Sequence, residues 1–269
     1  MLLPRILTAL ILAPLFIWAI IAMPTDYFSY LLLVFVALGA WEFARLIKIE
    51  QPLYRALISI SVVGCSLVAS KHAQDLQNLQ TILYVSALWW GLNLYWVISY
   101  PKNIQSWYGS GVIRVMGGVM LFAPMWVALA NLHSNYSSDY FLLLMLLIWG
   151  ADSGAYFVGR AIGKRKLAPN VSPGKSIEGV IGGIVFAIAI MWAFLQYKHI
   201  TTDAYAGYFL LAVVISSVSV LGDLYESLFK RTSGIKDSGN ILPGHGGILD
   251  RIDSLTAAAP FFLLGLSFI

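Results

Sequence analysis

The sequence predicts an all-α, polytopic integral membrane protein of about nine transmembrane helices with its N-terminus in the cytosol. Three observations predict it. The first is composition: 59% of the 269 residues are hydrophobic and 11% charged, and mean hydropathy is +0.78, whereas a soluble domain carries roughly a quarter charged residues. The second is the grouping of apolar residues into runs at about 6–22, 27–47, 55–70, 79–99, 112–132, 140–160, 177–197, 204–229 and 250–269. A spanning helix needs about 20 mainly apolar residues, and the third and ninth runs are short for that. The third is the partition of charge. With a cytosolic N-terminus, fifteen of the seventeen Lys and Arg residues fall on the cytosolic side, and only Lys71 and Lys198 fall outside. Basic residues retained in the cytosol select this orientation over its inverse.

Each run follows from its own residues. The first, after Arg5, has the look of a signal peptide, but its removal would leave the remaining topology unchanged. The second ends among Arg45, Lys48 and Arg55, where Glu42 and Glu50 are expected to pair at the surface. The fourth and fifth flank Lys102 and Arg114. The sixth ends on DSGAYFVGRAIGKRKL, the seventh begins after SPGKSIEG, the eighth ends on LGDLYESLFKR, and the ninth begins with ILDRID. Asp26, Asp75, Asp139 and Asp203 fall in short outer loops as solvated residues. His72, His133 and His199 also lie at the outer side and need no role. Tryptophans and tyrosines near span ends fit an aromatic belt. Cys65 is the only cysteine, which excludes a disulfide framework and a thiolate metal site. No internal repeat of the kind many transporters carry is visible. The chain divides into a motif-free region, 1–132, and a C-terminal transmembrane region, 133–269, expected to carry the chemistry.

The remaining acids concentrate at one face. Asp152, Glu178, Asp223, Glu226, Asp237, Asp250 and Asp253 all lie at or beyond the cytosolic ends of the last four runs. Charge at a membrane is expensive, so a cluster of both signs needs a reason. At 1.5 Å per residue, Asp223 lies about 28 Å along its helix, near the edge of the hydrocarbon. Glu226 and Ser227 follow it on the same helical face. Asp250 and Asp253 flank Arg251 at the start of the last helix, after a loop containing Gly239, Gly244, Gly246 and Gly247. Hard carboxylate oxygens without a Cys or His cluster suit Mg²⁺, which is commonly bridged to substrate phosphates. His245 is better suited to a phosphate or a loop contact than to a metal. Lys164, Arg165 and Lys166 fit a topology signal facing anionic lipid. Lys175, set among Ser172, Ser176 and Glu178, fits contact with phosphate or metal. The motifs GxxxxGK[ST], HExxH and GxSxG are absent.

The stretch SLFKRTSGIKDSGNILPGHGGILDRID closely resembles the hallmark segment of the phosphatidate cytidylyltransferases, also called CDP-diacylglycerol synthases. Its fixed positions are Ser227, Lys230, Arg231, Lys236, Asp237, Pro243, His245, Gly246, Gly247, Asp250, Arg251 and Asp253. Asp152 to Arg160 resembles the family's D-x-x-A-Y-x-x-G-R. SPGKSIEG resembles S-P-x-K-T-x-E-G, with Ser176 in place of threonine. These pieces span 152–253, while the first 110 residues match in hydropathy only.

The resemblance implies the reaction of CTP with phosphatidate to give CDP-diacylglycerol and pyrophosphate, with Mg²⁺. It further implies a bacterial inner-membrane enzyme, a homodimer, with its site at the cytosolic face of the lipid bilayer and no nucleic-acid partner. On this basis Asp223 and Asp250 are assigned to metal, with Asp253 and Glu226 supporting them. A second cation, such as K⁺, is compatible with that set. Lys230, Arg231, Lys236 and Arg251 are assigned to catalysis through phosphate contacts. Asp152, Arg160, Ser172, Lys175, Ser176, Glu178, Ser227, His245, Gly246 and Gly247 are assigned to substrate. Two other classes fit less well. A CDP-alcohol phosphotransferase would show D-G-x-x-A-R followed by spaced acids, which are absent. A transporter would place acids near mid-membrane rather than at one face.

Overall fold

The structure is a computed structural model and describes residues 3–241 and 246–269, without the side chains of 3–9, 105 and 106. Each of the nine apolar runs is a helix: α1 Leu3–Ala22, α2 Thr25–Leu46, α3 Pro52–His72, α4 Leu76–Ser99, α6 Gly111–Asn135, α7 Ser138–Ile162, α8 Ile177–Tyr197, α9 Tyr205–Ser233 and α10 Leu249–Leu266. A five-residue helix, α5 (Ile104–Tyr108), lies between α4 and α6. Among the described residues, seven helices are long and apolar enough to cross a membrane: α2, α3, α4, α6, α7, α8, and α9 with the turn before it. The described apolar stretch of α1 is shorter, and α10 has 18 residues with Asp250, Arg251 and Asp253 in its first two turns. The protein is therefore an all-α polytopic membrane protein.

Among the described residues, the strands are those of a hairpin between α7 and α8. Strand β1 (Lys166–Ala168) pairs antiparallel with β2 (Ser172–Ser176), Lys166 opposite Ser176 and Ala168 opposite Ser172. The sequence carries no alternation there, and the pairing arises because the chain must reverse within one short polar stretch. The hairpin places Lys175 against Asp223 of α9.

The core surrounds α10. Leu255, Ala257, Ala258, Ala259, Phe262 and Leu263 of that helix are buried, and it packs on α9, α6, α4, α2 and α7. In α3 the outer face carries exposed Leu57, Ile60, Leu67 and Val68. Apolar exposure of this kind suits contact with lipid. The helix keeps its own backbone groups paired, as hydrocarbon requires.

Several aromatic residues are core rather than belt, against the sequence expectation. Trp90, Trp107 and Tyr225 are each only 1% exposed. Phe229 is the hub, with ring centroids 5.2 Å from Phe43, 5.2 Å from Trp107 and 4.8 Å from Tyr225. These rings join α2, α5 and α9 directly beneath the polar face. Trp18 and Trp192 remain exposed and fit the belt.

Helix ends at this face are closely tied. α2 closes with Lys48 in the left-handed region (φ 62°), the amides of Lys48 and Ile49 returning to Arg45 O and Ala44 O. Its terminal carbonyls Leu46 O and Ile47 O are taken by Tyr108 Oη (2.9 Å) and Arg114 (2.9 Å), and Arg55 adds a bond to Trp41 O (3.0 Å) within the helix. Arg114 therefore caps α2, and Arg55 is tied to its flank. α9 ends likewise at Gly234 (φ 77°), where the amides of Gly234 and Ile235 return to Arg231 O and Lys230 O. At 1.5 Å per residue α9 is about 43 Å long, so its last turns project beyond a hydrocarbon core about 30 Å thick. At the opposite end, Lys198 pairs with Asp139 at 2.9 Å, so Asp139 is partnered and not merely solvated.

Candidate active site

The polar cluster is built on α9. Asp223, Glu226, Ser227 and Lys230 recur at helical spacing and face one side. Gly222 brings α10 against that side: a Cβ at Gly222 would lie 2.5 Å from Asp253 O and 3.0 Å from Ser254 Cα. Gly222→Ala must therefore spread the two helices, at about 1–3 kcal/mol for overpacking. We expect it to lower both the thermal midpoint in detergent and turnover, the latter at least about tenfold. If both stay at wild-type values, the close approach is not needed.

Lys230 lies at the centre. Its ammonium donates to Glu226 Oε2 at 2.8 Å and to Asp250 Oδ1 at 2.9 Å. These side chains are 17%, 4% and 10% exposed, so this triad is buried. Asp250 is held in addition by the loop before α10, accepting from Gly247 N at 2.8 Å and from Ser238 N at 3.2 Å. Gly246 stands in the left-handed region (φ 82°) beside Asp250 Oδ2. Asp253 lies one turn further along α10 and accepts from Ser254 N at 2.7 Å. It is near enough to Glu226, Asp223 and Lys230 for their charges to interact.

A second pair lies nearer the opening. Lys175 of β2 donates to Asp223 Oδ2 at 2.9 Å, the two side chains being 24% and 36% exposed. Ser227 Oγ donates to Asp223 Oδ1 at 3.2 Å. Asp152 of α7 interacts electrostatically with both Lys175 and Asp223. Three helices and the hairpin thus deliver Asp152, Lys175, Asp223, Glu226, Lys230, Asp250 and Asp253 to one place.

Other candidates lie apart from this cluster or serve its walls. Glu178 turns to the hairpin base, accepting from Lys164 N (3.1 Å) and Arg165 N (3.1 Å) and pairing with the Arg165 side chain (3.2 Å). Ser176 caps α8, its Oγ accepting from Gly179 N at 3.1 Å. Arg160 donates to Tyr156 Oη at 2.9 Å on the exposed surface. Arg231 donates to Val171 O at 3.1 Å and so fastens the hairpin to α9. Ser172 opens β2 and is partly buried. Lys236 and Arg251 are exposed. His245 and Pro243 lie outside the described residues.

Whether these residues suit a divalent cation depends on charge and free lone pairs. The cluster sets five carboxyl groups against two ammonium groups, an excess that a low-dielectric site cannot hold without compensation. Glu226 Oε1 is buried with no hydrogen-bond donor on it. Among the described residues, no three acids converge on one point to form a ready cage. Mg²⁺ needs none, since one or two carboxylates completed by substrate phosphates and water suffice. Asp223, half-exposed and backed by Asp253 and Glu226, fits that use. Asp250, with both oxygens engaged by Lys230 and two backbone amides, fits it less well as it stands.

The geometry can be set beside known proteins. The profile described as "Cytidylyltransferase family" matches residues 3–269. The chain belongs to the cytidylyltransferase family. Relatives named phosphatidate cytidylyltransferase include one from Haemophilus influenzae, 41% identical over 282 aligned positions that cover 97% of both chains. Another, from Pseudomonas aeruginosa, is 43% identical over 263 positions, covering 97% of this chain and 96% of its own. A Bacillus subtilis relative is 34% identical over 272 positions, covering 97% of both.

Membership in the cytidylyltransferase family thus extends over nearly the whole chain, including the first 110 residues, where the sequence shows no motif. The structure gives one reason. Glu42 of α2, expected to pair at the surface, is 1% exposed and lies against the loop before α10. It accepts from Leu249 N at 2.8 Å and Ser238 Oγ at 3.2 Å. Its neighbours in sequence gave no sign of this, because its partners lie about 200 residues away.

Proposed function

We propose that this member of the family transfers the cytidylyl group of CTP to phosphatidate at the cytosolic membrane face, forming CDP-diacylglycerol and releasing pyrophosphate. One observation supports the site most strongly: two lysines and five acids meet at one end of the bundle, under a glycine-rich loop. Relatives of nearly equal length carry the name of this activity. A lipid phosphate resides at the interface, and a nucleotide arrives from water, so a pocket at the helix ends meets both.

The chemistry follows from charge. Phosphatidate is mostly ionised at neutral pH, so its phosphate oxygen attacks the α-phosphorus of CTP without a strong base. The new P–O bond forms as the bond from the α-phosphorus to the bridging oxygen breaks, and the electron pair leaves with pyrophosphate. The obstacle is repulsion between anions, and such transfers are catalysed by positioning and electrostatic neutralisation. Lys175 and Lys230 each carry three donors and can exchange a carboxylate partner for a phosphate oxygen. Asp250, fixed by Gly247 N and Ser238 N, keeps Lys230 aimed during that exchange. Asp223, with Asp253 and Glu226 behind it, supplies the oxygens that would hold Mg²⁺ together with substrate phosphates. The ion would neutralise charge at the α-phosphate and the departing pyrophosphate. The inner membrane and a homodimer belong to the same reading.

The experiment uses sealed membrane vesicles from cells producing the protein, with CTP supplied only outside. Inverted vesicles, exposing the cytosolic face, are expected to make CDP-diacylglycerol, and right-side-out vesicles only background amounts. Synthesis by right-side-out vesicles alone would reverse the proposed face. Synthesis by neither would remove the activity.

A further inference from the structure

We infer that Glu42 is a positioning residue for the catalytic loop, an anchor in the N-terminal half of the chain that holds Asp250 and Lys230 in register. This rests on the activity proposed above and deepens it. The carboxylate of Glu42 reaches across from α2 to the chain between α9 and α10. One oxygen, Oε2, takes the amide of Leu249, the first residue of α10, at 2.8 Å. The same oxygen takes Ser238 Oγ at 3.2 Å. The other, Oε1, is buried and has no donor.

Ser238 links this anchor to the cluster. It is fully buried. Its hydroxyl donates to Glu42, while its amide donates to Asp250 Oδ2 at 3.2 Å. Asp250 in turn holds the Lys230 ammonium. The path from α2 to the central lysine is therefore Glu42, Ser238, Asp250, Lys230, with a short polar contact at every step. The loop is shaped to the carboxylate as well. A Cβ at Gly239 would overlap Glu42 Oε1, and one at Gly247 would overlap Glu42 Oε2 and Ser238 Oγ. Two glycines from opposite ends of the loop therefore close directly on one acid.

Packing alone does not call for an acid here. A buried carboxylate carries a desolvation cost that an apolar residue of similar volume would not. The carboxylate instead supplies a strong acceptor to two donors that would otherwise be unmet. It also lies at the N-terminus of α10, where negative charge is favoured. Its consequence is orientation: with Ser238 and the start of α10 fixed, the amides of Ser238 and Gly247 both point at Asp250. Glu42 touches no reacting atom and acts through Asp250.

The test compares Glu42→Leu, which keeps bulk and removes the acceptor, with Glu42→Gln, which keeps an acceptor for Leu249 N and Ser238 Oγ. Both are purified in full-length form with wild type. Glu42→Leu is expected to lower the melting midpoint, because two donors lose their acceptor, while remaining folded, and to lose at least about 30-fold in kcat, with KM for phosphatidate unchanged. Glu42→Gln is expected to stay within about fivefold of wild-type kcat. A second readout does not depend on turnover. Asn240, exposed in the loop, is changed to Cys in a Cys65→Ser background, and its rate of maleimide labelling is followed. Labelling is expected to quicken at least about threefold with Glu42→Leu and to stay at the parent rate with Glu42→Gln. Any other pattern overturns the inference: wild-type kcat in Glu42→Leu, equal losses in both variants, or unchanged labelling. An inactive wild type would defeat the proposed activity instead, and the labelling rates would still report on the anchor.

Discussion

Lys230→Met is expected to lower turnover at least about 1000-fold and to destabilise the protein as well. Methionine keeps much of the length of lysine and removes its charge. The loss leaves Glu226 Oε2 and Asp250 Oδ1 without the cation that both contact. Glu226 is almost completely buried, so its charge has no recourse to water. Removing one partner of such an arrangement costs about 3–5 kcal/mol. The catalytic loss is separate, since one well-placed electrostatic group is worth about 100–1000-fold in turnover. Disorder of Asp250 adds to it. Arginine is not an expected rescue, because a planar guanidinium cannot take the place of a compact ammonium between two carboxylates. The double variant Lys230→Met/Glu226→Gln separates the two effects: stability is expected to recover in part and turnover to stay low. Turnover of Lys230→Met within tenfold of wild type would show that the lysine is structural only.

Asp223→Asn is expected to show the opposite balance, a large catalytic loss with little effect on folding. Asp223 is half-exposed and pairs with Lys175 near the opening. Pairs of that kind contribute about 0–1 kcal/mol, so the thermal midpoint should move by no more than a few degrees. Asparagine keeps the size and the contact with Ser227. It removes the charge that compensates Lys175 and the anionic oxygens suited to Mg²⁺. Turnover should fall at least about 100-fold, and raising Mg²⁺ should not restore it. Near-wild-type turnover at saturating Mg²⁺ would displace Asp223 from the centre of the site.

The contrast between these variants reflects what the sequence discloses. The helices were legible because twenty-residue apolar runs have few alternatives. Asp223 and Glu226 stood out because acids at the end of such a run are costly. Their spacing placed them on one face, which is where α9 carries them. The loop was visible as a glycine-rich interruption between two charged helix ends. Its wrapping around Glu42 was not, because hydrogen bonds to Ser238 and Leu249 leave no periodic trace in α2. Basic neighbours such as Arg45 made a surface pair the simpler expectation. Glu178 and Ser176 illustrate the reverse. Both stand beside Lys175 in sequence, yet local geometry uses one to close the hairpin and the other to cap α8. The buried Trp90 and Trp107 were hidden because composition alone does not distinguish a lipid-facing ring from one packed between helices.

The most direct measurement takes purified protein in mixed micelles of detergent and phosphatidate, with CTP and Mg²⁺, and quantifies nucleotide-linked lipid and pyrophosphate together. CDP-diacylglycerol and pyrophosphate are expected in equal amounts, dependent on both substrates, with formation at least about 100-fold slower for Asp223→Asn prepared in parallel. Absence of the lipid product from folded wild-type protein, or equal rates from the two proteins, would contradict this expectation.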